Sequence, residues 1–242
     1  MQRVWKIVVL VLTVVVITAA GYVLTRHDPV PQAGESPGYA ESTASRSPTP
    51  SVATGTSARP VKVVFLGDDY AAGRGASSPA HGWTGAVAAA LHLDASVVAE
   101  PGAGYATPGV RGGSYAALVA GVVAAKPQVV LVSGGRNDVG AAPATLRAQT
   151  RALFARLKAE LPDARLLAIA PWWGDSAHPP KLAKVDAAVR AGVEAAGGTY
   201  LDAPDPLRGH PSWMADAADP TDRGYAAIAR AVTDALRAQL PR

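Results

Sequence analysis

The sequence predicts an α/β fold: a three-layer α/β/α sandwich around a central parallel sheet of about five strands, preceded by a transmembrane helix and a disordered stalk. Three observations predict it. Beyond residue 60, short apolar runs alternate with Ala-rich stretches of helical composition. The stretches between successive runs are long enough for the crossovers that parallel pairing requires. Near the amino terminus lies one long uncharged apolar run, followed by a segment rich in Pro, Ser and Thr.

The apolar run, IVVLVLTVVVITAAGYVL over Ile7–Leu24, approaches the ~20 residues that cross a bilayer as helix. Arg3 and Lys6 precede it and Arg26 follows. The positive-inside rule therefore places the C-terminal bulk outside the cytoplasm. Thr18-Ala19-Ala20 also offers a small-residue cleavage site, so residues 1–26 read as an anchor or an uncleaved signal, with a secreted product as the alternative. Residues 27–59 carry Pro29, Pro31, Pro37, Pro48 and Pro50 among Ser, Thr, Gly and Ala, a composition that buries too little surface to offset its chain entropy. This segment reads as a linker through an envelope layer. Residues 60–242 form the folded domain.

Within that domain Val61–Leu66, Ser96–Ala99, Gln128–Ser133, Arg165–Ala170 and Thr199–Asp202 read as strands. Gly82–His92, Gly113–Lys126, Pro143–Leu161, Pro180–Ala196 and Thr221–Gln239 read as helices. In such sheets ligands bind beyond the carboxyl ends of the strands, so chemistry is expected in the loops after Leu66, Ala99, Ser133, Ala170 and Asp202.

Composition narrows the function. The formal charge is +4, but Arg3, Lys6, Arg26, Arg46 and Arg59 lie outside the folded part, so no basic face points to nucleic acid. Cysteine is absent, which excludes disulfides, thiolate chemistry and cysteine metal sites.

Four short blocks then follow the predicted strands in order. Gly67-Asp68-Asp69-Tyr70-Ala71-Ala72-Gly73 comes first, Pro101-Gly102-Ala103-Gly104 second, and Gly135-Arg136-Asn137-Asp138 third. Asp216-Ala217-Ala218-Asp219-Pro220-Thr221 opens the last helix. Together they resemble the SGNH (GDSL) hydrolase superfamily of esterases and lipases, over nearly all of Val61–Gln239. The resemblance implies an SGNH-hydrolase, flavodoxin-like sandwich and an active cleft without a cofactor. It matches Asp69 to the serine nucleophile, Gly104 to the oxyanion amide and Asn137 to the oxyanion side chain. Asp219 falls on the histidine position, and Asp216 on the acid that orients that histidine. The nucleophile and the base are thus both aspartate.

Those substitutions change the chemistry. Asp69 has no hydroxyl, acyl transfer to a carboxylate would give a reactive mixed anhydride, and a carboxylate is a far weaker base than imidazole at neutral pH. Asp69 is expected to face the oxyanion donors itself. Two unit charges at about 4 Å repel by roughly 4 kcal/mol at an effective dielectric near 20. A shared proton, a bound cation, or an arginine such as Arg136 or Arg111 must relieve this. The expected function is ligand binding without serine catalysis; the alternative is an envelope hydrolase or esterase with an Asp-based or metal-assisted site.

Candidate ligand contacts are Tyr70, Tyr105, Arg136, Trp172, Trp173 and His210, with Trp213 as a further aromatic. The aromatics either stack on a sugar or pack in the core. His210 is either a substitute base or a solvated loop residue. Ser176 and His178 are not expected to form a dyad, and Asp68 and Asp138 read as structural. No metal set is assigned. The resemblance suggests a cell-envelope carbohydrate or acylated glycan as partner, with the membrane engaged through the N-terminal helix.

Overall fold

The computed structural model describes residues 59–241. The anchor and linker expected over 1–26 and 27–59 lie outside the described residues, save residue 59. No helix among the described residues is long and apolar enough to cross a membrane.

Five strands form one sheet: β1 (Lys62–Gly67), β2 (Asp94–Ala99), β3 (Val129–Val132), β4 (Arg165–Ile169) and β5 (Thr199–Leu201). Their order is β2-β1-β3-β4-β5 and every pairing is parallel. Five helices make the connections and close the chain: α1 (Trp83–Leu91), α2 (Tyr115–Ala124), α3 (Pro143–Glu160), α4 (Leu182–Ala195) and α5 (Asp222–Arg237).

Strand alternation divides the core in two. Val64 and Leu66 of β1, with Val130 and Val132 of β3, face α2, α3 and α4 through Val119, Phe154, Leu157 and Val189. Val63, Phe65, Val129 and Leu131 point the other way, onto α1 and α5, against Trp83, Tyr225, Ile228 and Val232. Because β1, β3 and β4 are covered on both faces, their sequences run apolar without a polar register, as buried parallel strands do. The edge strand β2 differs. Its Asp94, Ser96 and Val97 are exposed, and it starts at Asp94 rather than at the expected Ser96, because a half-solvated edge need not announce itself by hydrophobicity.

The chain leaves β1 toward β2, then returns across it to β3. That reversal opens a crevice at the carboxyl ends of β1 and β3, where sheets of this order bind ligands. Three of the four sequence blocks end there, and the fourth reaches it from the turn before α5.

Candidate functional site

The turn after β1 sets the first side chains. Tyr70 N donates to Asp68 Oδ1 at 3.1 Å, and Arg74 N donates to the Asp69 carbonyl at 3.0 Å. This turn buries Asp68 and Tyr70 and points Asp69 outward, where its carboxylate is 16% exposed. Asp69 Oδ2 accepts from Gly102 N at 2.8 Å. Gly102 has φ +74°, a left-handed conformation that side-chain-bearing residues avoid.

Asp69 Oδ1 lies 3.3 Å from Arg74 Nη1, and Arg74 Nε lies 2.9 Å from Asp219 Oδ2. One guanidinium therefore bridges the two aspartates. Its backbone is held as well: the Tyr225 hydroxyl donates to the Arg74 carbonyl at 2.5 Å. The charge relief expected of Arg136 or Arg111 thus comes chiefly from Arg74, with Arg136 a smaller contributor at Asp219. Arg111 instead pairs with the buried Glu100, 3.4 Å away.

The segment before α5 positions Asp219. Ala215 N donates to the Asp219 carbonyl at 2.7 Å, and Asp216 Oδ1 accepts from Ala218 N and Asp219 N at 2.7 and 2.8 Å. Thr221 then caps α5 by accepting from Gly224 N. Asp216 is spent on this turn rather than on the side chain of residue 219, and the two amides hold its carboxyl below the usual carboxylate range. The Asp219 side chain is only 7% exposed. Burial raises its carboxyl above the usual range despite the opposing pull of Arg74.

Asn137 and Asp138 sit on the turn after β3. Asn137 Nδ2 donates to the Ala103 carbonyl at 2.8 Å, with Asp68 Oδ2 farther off at 3.5 Å. Buried Asp138 accepts three amides of the loop after β2, from Tyr105, Ala106 and Thr107, at 2.8, 2.9 and 2.9 Å. Gly104 is glycine because a Cβ there would overlap this carboxylate. Its amide donates to the Thr107 carbonyl at 2.9 Å, so the amide that meets residue 69 is that of Gly102, a correction to the assignment of Gly104.

Asp69, Arg74, Arg136, Asn137, Asp216, Ala217, Ala218 and Asp219 line a cleft of about 350 Å³. Arg136 spans its wall: Nη1 donates to the Ala218 carbonyl at 2.7 Å, and the guanidinium lies 4.9 Å from the Tyr70 ring centre and 5.9 Å from that of Trp173. Trp173 is partly exposed.

Several expected ligand contacts lie elsewhere. Tyr70 is buried edge-on against Tyr225, with Arg136 above its ring. Tyr105 packs in the core against Tyr115 and Phe154, because the Asp138 clamp on its amide turns its ring inward. Trp172 is buried edge-on to Trp83. His210 stacks on Trp213 at 3.8 Å, outside the cleft lining. His178 Nε2 lies 2.7 Å from Asp205 Oδ2, and Asp205 also accepts from Trp173 N and Leu207 N. This pair ties together the loops after β4 and β5. Among the described residues no group of three or more His, Asp or Glu side chains converges as a metal site.

Arg74 and Gly102 are the site residues that sequence reasoning missed. Arg74 directly follows the Gly73 that ends the first block, a position from which one turn returns a long side chain to Asp69. Gly102 and Gly104 are separable only in the folded chain, by the positive φ of one and the Asp138 carboxylate that crowds the other.

Comparison with known proteins agrees with this architecture. The carbohydrate esterase of family two from Clostridium thermocellum, solved in complex with cellohexaose, superposes with a TM-score of 0.60 at 17% identity, covering 74% of this chain and 64% of its own. An acetyl xylan esterase from Butyrivibrio proteoclasticus gives a TM-score of 0.60 at 15% identity, with the same 74% and 64% coverage. This chain therefore spans less than two thirds of either esterase, and at these identities the likeness concerns the fold. A GDSL lipase of Mycobacterium tuberculosis is 29% identical over 195 residues, 74% of this chain and 82% of the lipase. The model of the GDSL-like lipase/acylhydrolase family matches residues 65–227. With that match over most of its length and an SGNH-type sandwich around the cleft, the chain belongs to the GDSL-like lipase/acylhydrolase family.

Proposed function

We propose that this protein is a membrane-tethered, extracytoplasmic member of the family that binds a carbohydrate or acylated envelope glycan in the cleft without serine esterase chemistry. One observation carries the reading: the matched nucleophile and base positions hold carboxylates joined through Arg74, and Asp69 accepts the Gly102 amide. Acyl transfer at such a site needs a deprotonated hydroxyl, a base to receive its proton, and free amides for the oxyanion. Asp69 supplies no hydroxyl. Asp219, held to a guanidinium, offers no imidazole-like base. The Gly102 amide is engaged before any substrate arrives.

What remains suits binding. Arg136, Asn137, Asp216 and Asp219 present charged and polar groups at the cleft wall, and Trp173 offers an aromatic face beside Arg136. The cellohexaose complex of the Clostridium esterase supports a glycan as ligand class. The apolar run and its flanking charges support membrane attachment with the domain outside the cytoplasm.

Titration calorimetry of full-length protein with cellohexaose tests the reading. Saturable binding is expected, weakened about ten-fold or more in Trp173→Ala. Absence of binding, or binding indifferent to Trp173→Ala and Arg136→Ala alike, would overturn it. In cells the full-length chain is expected in the membrane fraction, and a shortened soluble product would show cleavage instead.

A further inference from the structure

Resting on that reading, we infer that the cleft selects hydroxyl-bearing, deacylated glycan and rejects the O-acylated form. Donor accounting leads there. An ester carbonyl brings an acceptor and no proton, so it needs free N–H groups. The Gly102 amide is taken by Asp69 Oδ2 at 2.8 Å, and the Gly104 amide by the Thr107 carbonyl at 2.9 Å. Of the two N–H groups of Asn137 Nδ2, one goes to the Ala103 carbonyl at 2.8 Å and the other to Asp68 Oδ2 at 3.5 Å. The matched glycine and asparagine donors are thus engaged within the chain, which leaves the guanidinium N–H groups of Arg74 and Arg136 as the side-chain donors of the cleft lining, so the discrimination rests mainly on the carboxylate acceptors.

Acceptors are plentiful. Asp69, Asp216 and Asp219 all line the cleft, and only Oδ1 of Asp216 is spent on the turn. A sugar hydroxyl donates to such an oxygen and accepts from the guanidinium N–H groups of Arg74 or Arg136. An acyl ester at the same place would shield those carboxylates from water without giving them a proton, leaving acceptors unpaired. It would also find little apolar lining, since Ala217 and Ala218 are the only apolar residues of this wall. Three carboxylates against two guanidiniums further disfavour an anionic ligand.

The test titrates full-length protein with cellohexaose and with O-acetylated cellohexaose. The bare oligosaccharide is expected to bind about ten-fold tighter or better. Asp69→Ser, which releases the Gly102 amide, is expected to bring the two affinities together. Asp216→Asn keeps an oxygen for the turn amides but replaces one acceptor with a donor, and is expected to weaken the bare glycan several-fold while sparing the acetylated one. Equal affinities in the wild type, or preference for the acetylated form, would overturn the inference and leave glycan binding standing. Failure of both glycans to bind would overturn the underlying reading as well. A discrimination that survives both variants would remove the donor accounting as its cause.

Discussion

Two carboxylates hold the same loop and end in opposite roles. Asp138 accepts the amides of Tyr105, Ala106 and Thr107 and is buried. Asp69 accepts the amide of Gly102, a few residues earlier in that loop, and keeps its other oxygen on an exposed arginine at the cleft. Three donors and near-complete burial make Asp138 part of the architecture. One donor and a solvent-facing partner leave Asp69 able to meet a ligand. What separates a structural from a functional carboxylate here is not the residue type but how many of its lone pairs the fold has already claimed.

The largest effect should come from breaking the saturated side of this comparison. Asp138→Ala strands three backbone donors near the core, and denaturant unfolding is expected to show a loss of about 3–5 kcal/mol. If the loss were under about 1 kcal/mol, the loop would be held by something other than this clamp.

Asp68, between the two, has a distinct signature. Burial, then the neighbouring charge of Asp69, pushes its carboxyl up to about 7 from 3.8. Between those pH values the folded chain keeps a proton that the unfolded chain has lost, so stability from this group falls as pH rises through the window and levels off above it. Asp68→Asn keeps the acceptor for Tyr70 N and removes the titration. Its stability relative to wild type is expected to improve progressively from pH 4 to pH 7. A difference that is flat with pH would show that Asp68 titrates normally.

A smaller effect is expected at the bridge. The Arg74 side chain is 60% exposed, so solvent screening limits its pairs, and Arg74→Gln should cost about 1 kcal/mol near neutral pH. The cost should shrink as pH falls and Asp219, whose carboxyl burial raises, takes up a proton. A loss that does not change down to pH 3 would assign Arg74 a packing role instead of an electrostatic one.

These contrasts also mark how much the sequence reveals. Five strands and five helices are legible because β1, β3 and β4 are buried on both faces and read as unbroken apolar runs. The start of β2 is not, since Asp94 and Ser96 on a solvated edge carry no such signal. The site's location is legible too, because parallel topology places three of the four blocks at the carboxyl ends of strands and the fourth opens the last helix beside them. Its inner composition is less so. Whether Tyr70, Tyr105 and Trp172 line the cleft or fill the core depends on which way a turn rotates them, and identity does not encode that. Arg74 escapes because its partners lie five residues back and across the chain at residue 219, a pairing that only the fold brings about. The choice between Gly102 and Gly104 rests on a positive φ at one and a crowding carboxylate at the other.

A resident carboxylate, that of Asp69, occupies the Gly102 amide that an ester would need. Turnover of a short-chain nitrophenyl ester by full-length protein, measured beside Asp69→Ala, tests it most directly. The expected result is no hydrolysis above the buffer rate in either protein. Hydrolysis by the wild type that disappears in Asp69→Ala would show instead that Asp69 takes part in ester cleavage.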